Sequence, residues 1–248
     1  MRGFGLIGFP LSHSFSAKYF AEKFERERLK DCTYSNFPLE QIGQLNQLIE
    51  QRDDLVGLNV TIPYKEQVIP YLQSVDEEAA QIGAVNTIKI LRNDGSIHLK
   101  GYNTDAYGFQ ASLEPFVEKH FSKALVLGTG GASKAVAYVL GKLGIEVTYV
   151  SRMPRKPEHL SYEELTPAVM ASCQVIVNTS PAGMYPNTDV CPDIPYECLA
   201  QGHVLYDLIY NPAETKFMAL GRMKGASAIN GLQMLHLQAE KAWEIWNS

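Results

Sequence analysis

The chain has 248 residues, 46% hydrophobic and 20% charged, with a formal net charge of −5. That length suits one large domain or two modest ones, and the composition is that of an ordinary globular protein. The acidic balance argues against a nucleic-acid partner, no apolar run of about 18 residues is present to span a membrane, and four scattered cysteines and six histidines without ligand spacing give no metal site.

Short apolar runs alternate with helical patterns, which predicts an α/β protein built from βαβ units on a largely parallel sheet. In the first hundred residues strands are expected near 3–7, 33–37, 55–61, 84–91 and 96–101, and helices near 15–28, 39–51 and 64–72. The last two strands flank Arg92-Asn93-Asp94-Gly95, whose Asp-Gly is a hairpin signal. From Gly101 the character changes. Asp105 is placed to cap a helix running to about 119, and a second series follows: strand 124–127, a glycine turn, helix 133–143 stopped by Gly144, and strand 145–150. Further strands are expected near 174–178, 204–208 and 226–229, with a closing amphipathic helix from 231 to 246. The pattern predicts two α/β domains, 1–104 joined by 231–248, and 105–230, with the active site in the cleft between them.

The start, Met1 to Pro10, is superficially like a signal peptide. Its apolar run is short, broken by Gly and Pro, and lacks a small-residue cleavage site, so the expected location is the cytoplasm with the cysteines reduced.

Three features carry chemistry. The first is Leu125-Val126-Leu127-Gly128-Thr129-Gly130-Gly131-Ala132-Ser133, a strand feeding a glycine-rich turn into a helix. Gly128 permits the turn, Gly130 lets a pyrophosphate reach the backbone, and the helix start favours its charge. Ser133 stands where a third glycine is usual, and a small residue still allows close packing. The second is the end of the next strand, Ser151-Arg152-Met153-Pro154-Arg155-Lys156. An acid there would grip the ribose 2′-hydroxyl of NAD; three cations suit the 2′-phosphate of NADP instead, or form a solvated basic turn.

The third is a set of polar clusters in the first half. Ser14 and Ser16 at a helix start read equally as caps or as a carboxylate receptor. In Gly57-Leu58-Asn59-Val60-Thr61-Ile62-Pro63-Tyr64-Lys65, period-two alternation puts Asn59 and Thr61 on one face, and Pro63 is placed to open a helix that carries Lys65 in its first turn. A cation there is disfavoured by the macrodipole, which would shift Lys65 towards a range useful for proton transfer. Asn86 interrupts an otherwise apolar strand. Lys65 as a surface cation and Asp105 as a helix cap are the bland readings; beside a hydride cofactor they read as a proton-transfer pair.

Taken in order, "PLSHSFS", "NVTIPYK", "GAVNT", "GYNTD", "GTGGAS", "NTSPAGM", "YDLIYNPAETKF" and "NGLQMLHLQAE" resemble the shikimate dehydrogenase family nearly end to end. The resemblance implies NADP-dependent, reversible reduction of 3-dehydroshikimate to shikimate in aromatic amino-acid biosynthesis. By it Lys65 and Asp105 are the catalytic pair. Ser14, Ser16 and Tyr210 bind the substrate carboxylate, and Asn59, Thr61, Asn86 and Gln238 hold the ring. Gly128, Gly130, Gly131, Ala132 and Ser133 cradle the pyrophosphate, Ser151, Arg152 and Lys156 or Arg155 form the 2′-phosphate clamp, and Met184 and Gly231 lie near the nicotinamide. The clamp departs from the common Asn-Arg-Thr by reading Ser151-Arg152-Met153. Quinate/shikimate dehydrogenases that use NAD are the alternative, and they typically offer an acid at this strand end. The first domain leaves room for a homodimer paired edge to edge.

Overall fold

The computed structural model describes every residue except Ser12, His13, Ser14, Asp94 and Arg155. The expected Asp94-Gly95 turn therefore lies partly outside the described residues, as do Ser14 and Arg155. The chain divides into two compact units, Met1–Thr104 with Ala239–Ser248, and Asp105–Gln238.

The first unit runs β1 (Arg2–Gly8), α1 (Phe15–Arg26), β2 (Cys32–Pro38), α2 (Gln44–Gln51), β3 (Leu55–Val60), α3 (Tyr64–Gln67), β4 (Ser74–Val75), α4 (Glu77–Ile82), β5 (Thr87–Asn93) and β6 (Ser96–Tyr102). Its strands lie in the order β2-β1-β3-β5-β6-β4. β1 pairs in parallel with β2 and β3, but β5 is antiparallel to both β3 and β6. This sheet is parallel-rich, with β4 also parallel to β6, but mixed, because the short β5–β6 connection can join only antiparallel strands.

Two predicted helices are shorter than their patterns. The 39–51 pattern becomes helical only from Gln44, and 64–72 splits into the single turn of α3 and a short 3-10 turn, Ile69–Tyr71, with Pro70 at its start. The sequence reading also missed α4, which Asp76 caps by accepting from the Glu78 N–H and Gly83 ends in the left-handed region at φ 70°.

Pleating sorts the side chains onto two faces. Ile7, Leu58, Val60, Ile88 and Leu99 pack with Leu45, Ile49 and Tyr64 on one side. On the other, Phe4 and Cys32 pack with Phe20 and Phe24 of α1 and with Ala239, Ala242 and Trp246. The Trp246 indole lies against Gly57, where any Cβ would meet it, and its N–H donates to the Ile88 carbonyl at 3.0 Å. Lys23 is buried beside Trp243 and paired with Glu27 at 2.8 Å and Glu240 at 2.7 Å. Burial pulls its ammonium down, and the two carboxylates outweigh that and hold it protonated.

The second unit continues with α5 (Thr104–Leu113), β7 (Lys123–Leu127), α6 (Gly131–Lys142), β8 (Glu146–Val150), α7 (Pro167–Ser172), β9 (Val175–Asn178), β10 (Val204–Asp207), α8 (Lys216–Met223), β11 (Ser227–Asn230) and α9 (Leu232–Asn247). Its strands are all parallel, in the order β11-β10-β9-β7-β8. The sequence reading missed α7 and α8, both short and both capped by threonine, Thr166 and Thr215. Leu125, Ile176, Leu205, Phe217 and Met218 form its core. The division between the units falls inside α9, between Gln238 and Ala239.

Because the Gly57 position is filled by Trp246, Gly57→Ala should overpack this face and lower stability by about 1–3 kcal/mol. The urea midpoint measures it, and an unchanged midpoint would mean that the indole moves aside without cost.

Candidate active site

In the first unit the topology gathers the singled-out residues at one end of the sheet. β1 and β3 finish at Gly8 and Val60, while antiparallel β5 starts at Thr87, which registers with Asn59 on one side and Tyr102 on the other. Segments 61–65, 84–87 and 102–104 therefore leave from the same edge.

Backbone bonds tie these segments to one another. The Val85 N–H donates to the Lys65 carbonyl at 2.7 Å, the Val60 N–H to the Asn86 carbonyl at 2.8 Å, and the Asn86 N–H to the Tyr102 carbonyl at 3.0 Å. Asn86 is buried, and its Oδ1 accepts from the Thr104 N–H at 2.7 Å, the Thr104 hydroxyl at 3.1 Å and the Thr87 hydroxyl at 3.1 Å. With the oxygen so engaged, the Nδ2 hydrogens are what Asn86 can offer a ligand. Asn103 fixes the same segment by donating to the Ala84 carbonyl at 2.9 Å.

Asn59 is buried too, but its amide points into the protein. Its Nδ2 donates to Thr87 Oγ1 at 3.3 Å and its Oδ1 accepts from the Tyr34 hydroxyl at 2.8 Å. Tyr34 reaches Asn59 across β1, stacked on Phe20 with centroids 4.7 Å apart, and also shares a side-chain hydrogen bond with Ser16. Burial raises its phenol well above the ordinary value. Sequence reasoning missed Tyr34; an aromatic in a strand reads as core, and only the register shows its hydroxyl among polar groups. Ser16 lies in the first turn of α1, and Thr61 is half-buried just past β3.

Lys65 is anchored through its neighbour. Tyr64 is buried and donates its hydroxyl to the Leu39 carbonyl at 2.6 Å. Pro63 sits at the cap position of α3 rather than in its first turn. The helix is a single turn of four residues, so the expected macrodipole at Lys65 is small. Asp105 is buried and lies inside the first turn of α5, after Thr104, rather than at its cap. The helix also ends at Leu113 rather than near 119, passing into a short 3-10 turn with Pro115 at its start.

In the second unit the parallel order puts the loops after β7, β8, β9, β10 and β11 on one edge, and the strand order reverses between β7 and β9, the usual place for a nucleotide crevice. Gly128 has φ +112°, a conformation L side chains rarely adopt, and a Cβ there would come within 2.8 Å of Thr179 Oγ1. Gly130 caps α6 without a side-chain bond, and a Cβ on it would meet nothing within 4 Å. An uncapped start to a 12-residue helix beside an open glycine fits a pyrophosphate. Gly131 and Ala132 are the first residues of α6. Ser133 is buried, and its hydroxyl donates to the Gly130 carbonyl at 2.6 Å; it closes the turn from within.

After β8, the Ser151 hydroxyl is engaged with the Met153 backbone at 3.2 Å, and Arg152 and Met153 are exposed. Lys156 is exposed and 3.8 Å from Glu158. No acidic side chain follows the strand directly, so the donor set suits a 2′-phosphate better than a free ribose hydroxyl.

Met184 follows β9 and is half-exposed; Tyr210 follows β10 and is partly exposed. The Gly231 N–H donates to the Ile209 carbonyl at 3.0 Å, and a Cβ on Gly231 would run into the Leu208 carbonyl. Gln238 is buried on α9 near Gly108 of α5, whose missing side chain lets the α9 backbone approach.

One carboxylate of this edge had no role in the sequence reading. Asp207 ends the apolar strand Val204-Leu205-Tyr206-Asp207 and is fully buried. A carboxylate closing a buried parallel strand was the signal that could have found it. Burial pushes its pKa up to about 6, while Thr215, the Ile209 N–H and Asn178 pull it down.

Residues 6–88 match the family model of the shikimate dehydrogenase substrate binding domain. The shikimate dehydrogenase (NADP(+)) of Carboxydothermus hydrogenoformans is 42% identical, over 98% of this chain and 90% of that one. A shikimate dehydrogenase crystallised in complex with NADP+ has a TM-score of 0.87 at 34% identity, covering 99% of this chain and 90% of that one. The Thermus thermophilus shikimate 5-dehydrogenase, solved with NADP(H) and shikimate, has a TM-score of 0.84 at 32% identity, over 99% and 93% of the two chains.

A carboxyl with a raised folded-state pKa stabilises the fold in its protonated form, so the Asp207 contribution is complete below the unfolded value near 4 and lost as pH rises through about 6. Asp207→Asn should abolish that component, worth on the order of 2–3 kcal/mol between pH 4 and 6. Urea titrations of both proteins across this window measure it, and parallel pH profiles would contradict it.

Proposed function

Because the chain belongs to the shikimate dehydrogenase family, we propose that it catalyses the reversible NADPH-dependent reduction of 3-dehydroshikimate to shikimate, a step of aromatic amino-acid biosynthesis. The observation that carries the assignment to particular residues is the segment Ala84–Asn86. Val85 holds the Lys65 carbonyl, and Asn86 holds Thr104, the residue before Asp105. A single anchored strand start thus governs where both members of the proposed catalytic pair leave the backbone.

When bound at the glycine turn, NADP supplies the redox chemistry, exchanging a hydride at its nicotinamide. The chain supplies the proton and the geometry. In the direction of reduction, Lys65 delivers a proton to the substrate oxygen as the carbonyl carbon is reduced, and Asp105 orients the ammonium. Ser14, Ser16 and Tyr210 take the carboxylate. Thr61, Asn86 and Gln238 hold ring hydroxyls, and Asn59, whose amide is satisfied internally, supports that wall. Gly128, Gly130, Gly131, Ala132 and Ser133 would receive the pyrophosphate, Arg152 with Lys156 and Ser151 would face the 2′-phosphate, and Met184 and Gly231 would border the nicotinamide. Residues 1–104 and 231–248 form the substrate-binding and catalytic domain and 105–230 the dinucleotide domain in this reading.

None of the described helices is long and apolar enough to cross a membrane. We place the enzyme in the cytoplasm and propose that two copies would pair edge to edge through the first sheet, whose edges are β2 and β4.

Mixing purified protein with 3-dehydroshikimate should oxidise NADPH, read by its absorbance, and NADH more slowly; in the reverse direction quinate should reduce NADP+ more slowly than shikimate does. Absence of oxidation would end the reading. Lys65→Ala should lower turnover by roughly 10²–10⁴, the scale of losing a positioned acid–base group; near-normal turnover would remove Lys65 from the mechanism.

A further inference from the structure

We propose that Asp207 is a positioning residue for this reaction, its carboxylate fixing the loops after β9 and β10 that border the nicotinamide and substrate. The proposal rests on the reading of the reaction given above, and its geometry lies wholly within the second unit.

Three donors converge on the two carboxylate oxygens. Oδ1 accepts from Asn178 Nδ2 at 3.0 Å and from the Ile209 N–H at 3.0 Å; Oδ2 accepts from the Thr215 hydroxyl at 2.6 Å. The partners are neutral, and each belongs to a different stretch of the edge. Asn178 extends the network into the β9 loop, where its Oδ1 accepts from the Ser180 N–H at 3.0 Å and the Ser180 hydroxyl at 2.7 Å and its Nδ2 donates to the Ala182 carbonyl at 3.2 Å. Ser180 Oγ in turn accepts from the Ala182 N–H at 3.3 Å. The two loops meet again where the Tyr185 N–H donates to the Asn211 carbonyl at 3.2 Å.

Met184 and Tyr210 ride on these two loops, and Gly231 is bonded to Ile209, the residue that donates to Asp207. The glycine turn meets the same loop at Thr179, whose hydroxyl donates to the Leu127 carbonyl at 2.9 Å, and at Ser180, whose N–H lies close to Gly128. The Thr179 bonds do not involve the carboxylate, so removing it should disturb the reacting end more than the pyrophosphate end. A buried carboxylate that served stability alone would not make this distinction.

Asp207→Asn tests it, since it keeps the shape and replaces one acceptor by a donor. In the free protein, amide exchange at Ser180, Ala182 and Ile209 should quicken at least roughly tenfold, with Val177 and Leu205 in the strands unchanged. In the enzyme, kcat should fall about 10–100-fold, the usual scale for a reacting group displaced by about 1 Å. The NADP+ dissociation constant should stay within about threefold, and the primary isotope effect with NADPH deuterated at the transferred position should rise. Thr215→Val should move the same quantities in the same direction, and Thr215→Ser should restore them, which keeps the test valid if Asp207→Asn folds poorly. Unchanged exchange at the three amides, a loss of protection spread evenly over β9 and β10, or an unchanged kcat and isotope effect in a folded variant would each overturn the proposal. Lack of NADPH oxidation by the unaltered protein would instead overturn the reaction reading, and with it the catalytic half of this proposal.

Discussion

A polar side chain can form the floor of a ligand site only if the hydrogen bonds that face away from the ligand are met from within the protein. An unmet buried donor or acceptor costs about 1–3 kcal/mol, so the wall behind a polar site has to be built as carefully as the site. In the first unit that requirement falls on Asn86. Its oxygen takes three donors, two of them from Thr104, and its backbone joins the ends of β3 and β6. Asn86 thereby ties down the start of α5, and its neighbour Val85 that of α3.

The network continues beyond Asn86. Thr87 passes the connection to Asn59, Asn59 to Tyr34, and Tyr34 to Ser16 at the start of α1. Each member spends its capacity on its neighbours, which fixes amide orientation and hydroxyl direction before any substrate arrives. Preorganisation of this kind holds binding groups in place without a further entropic cost at the moment of use. The aromatic layer beneath has a matching purpose: Phe20 stacks on Tyr34, while Phe4 and Trp246 keep that face dry.

The second unit meets the same demand with a carboxylate. Its strands are parallel and deeply buried, so their ends at Asn178 and Asp207 are polar groups closing apolar runs. Asp207 collects three neutral donors where a cation would otherwise be needed, and these bonds tie the following loops to the end of β10. The glycine turn works by the opposite means. There the side chains are absent, and Gly128 and Gly130 leave backbone and space for an anion.

Much of this was legible in the residues. Period-two runs located the longer strands, the glycine turn with its flanking strand and helix was read in place, and the order of short motifs carried the family. Those signals are local, and local signals survive in a linear text. What was not legible depends on partners far apart in the chain. The antiparallel entry of β5 into a sheet expected to be largely parallel is a matter of pairing, and α4, α7 and α8 are too short for their periodicity to register. Asn59 looked like a grip for a ring hydroxyl until Tyr34, 25 residues away, was found on its oxygen. Lys65 looked like a lysine at the head of a helix until α3 proved to be a single turn. The residue types and their spacing therefore determined the chemistry available to this protein, while the direction each polar atom faces was decided only by the tertiary structure, because a hydrogen bond is set by where its partner lies in space and not by where it lies in the chain.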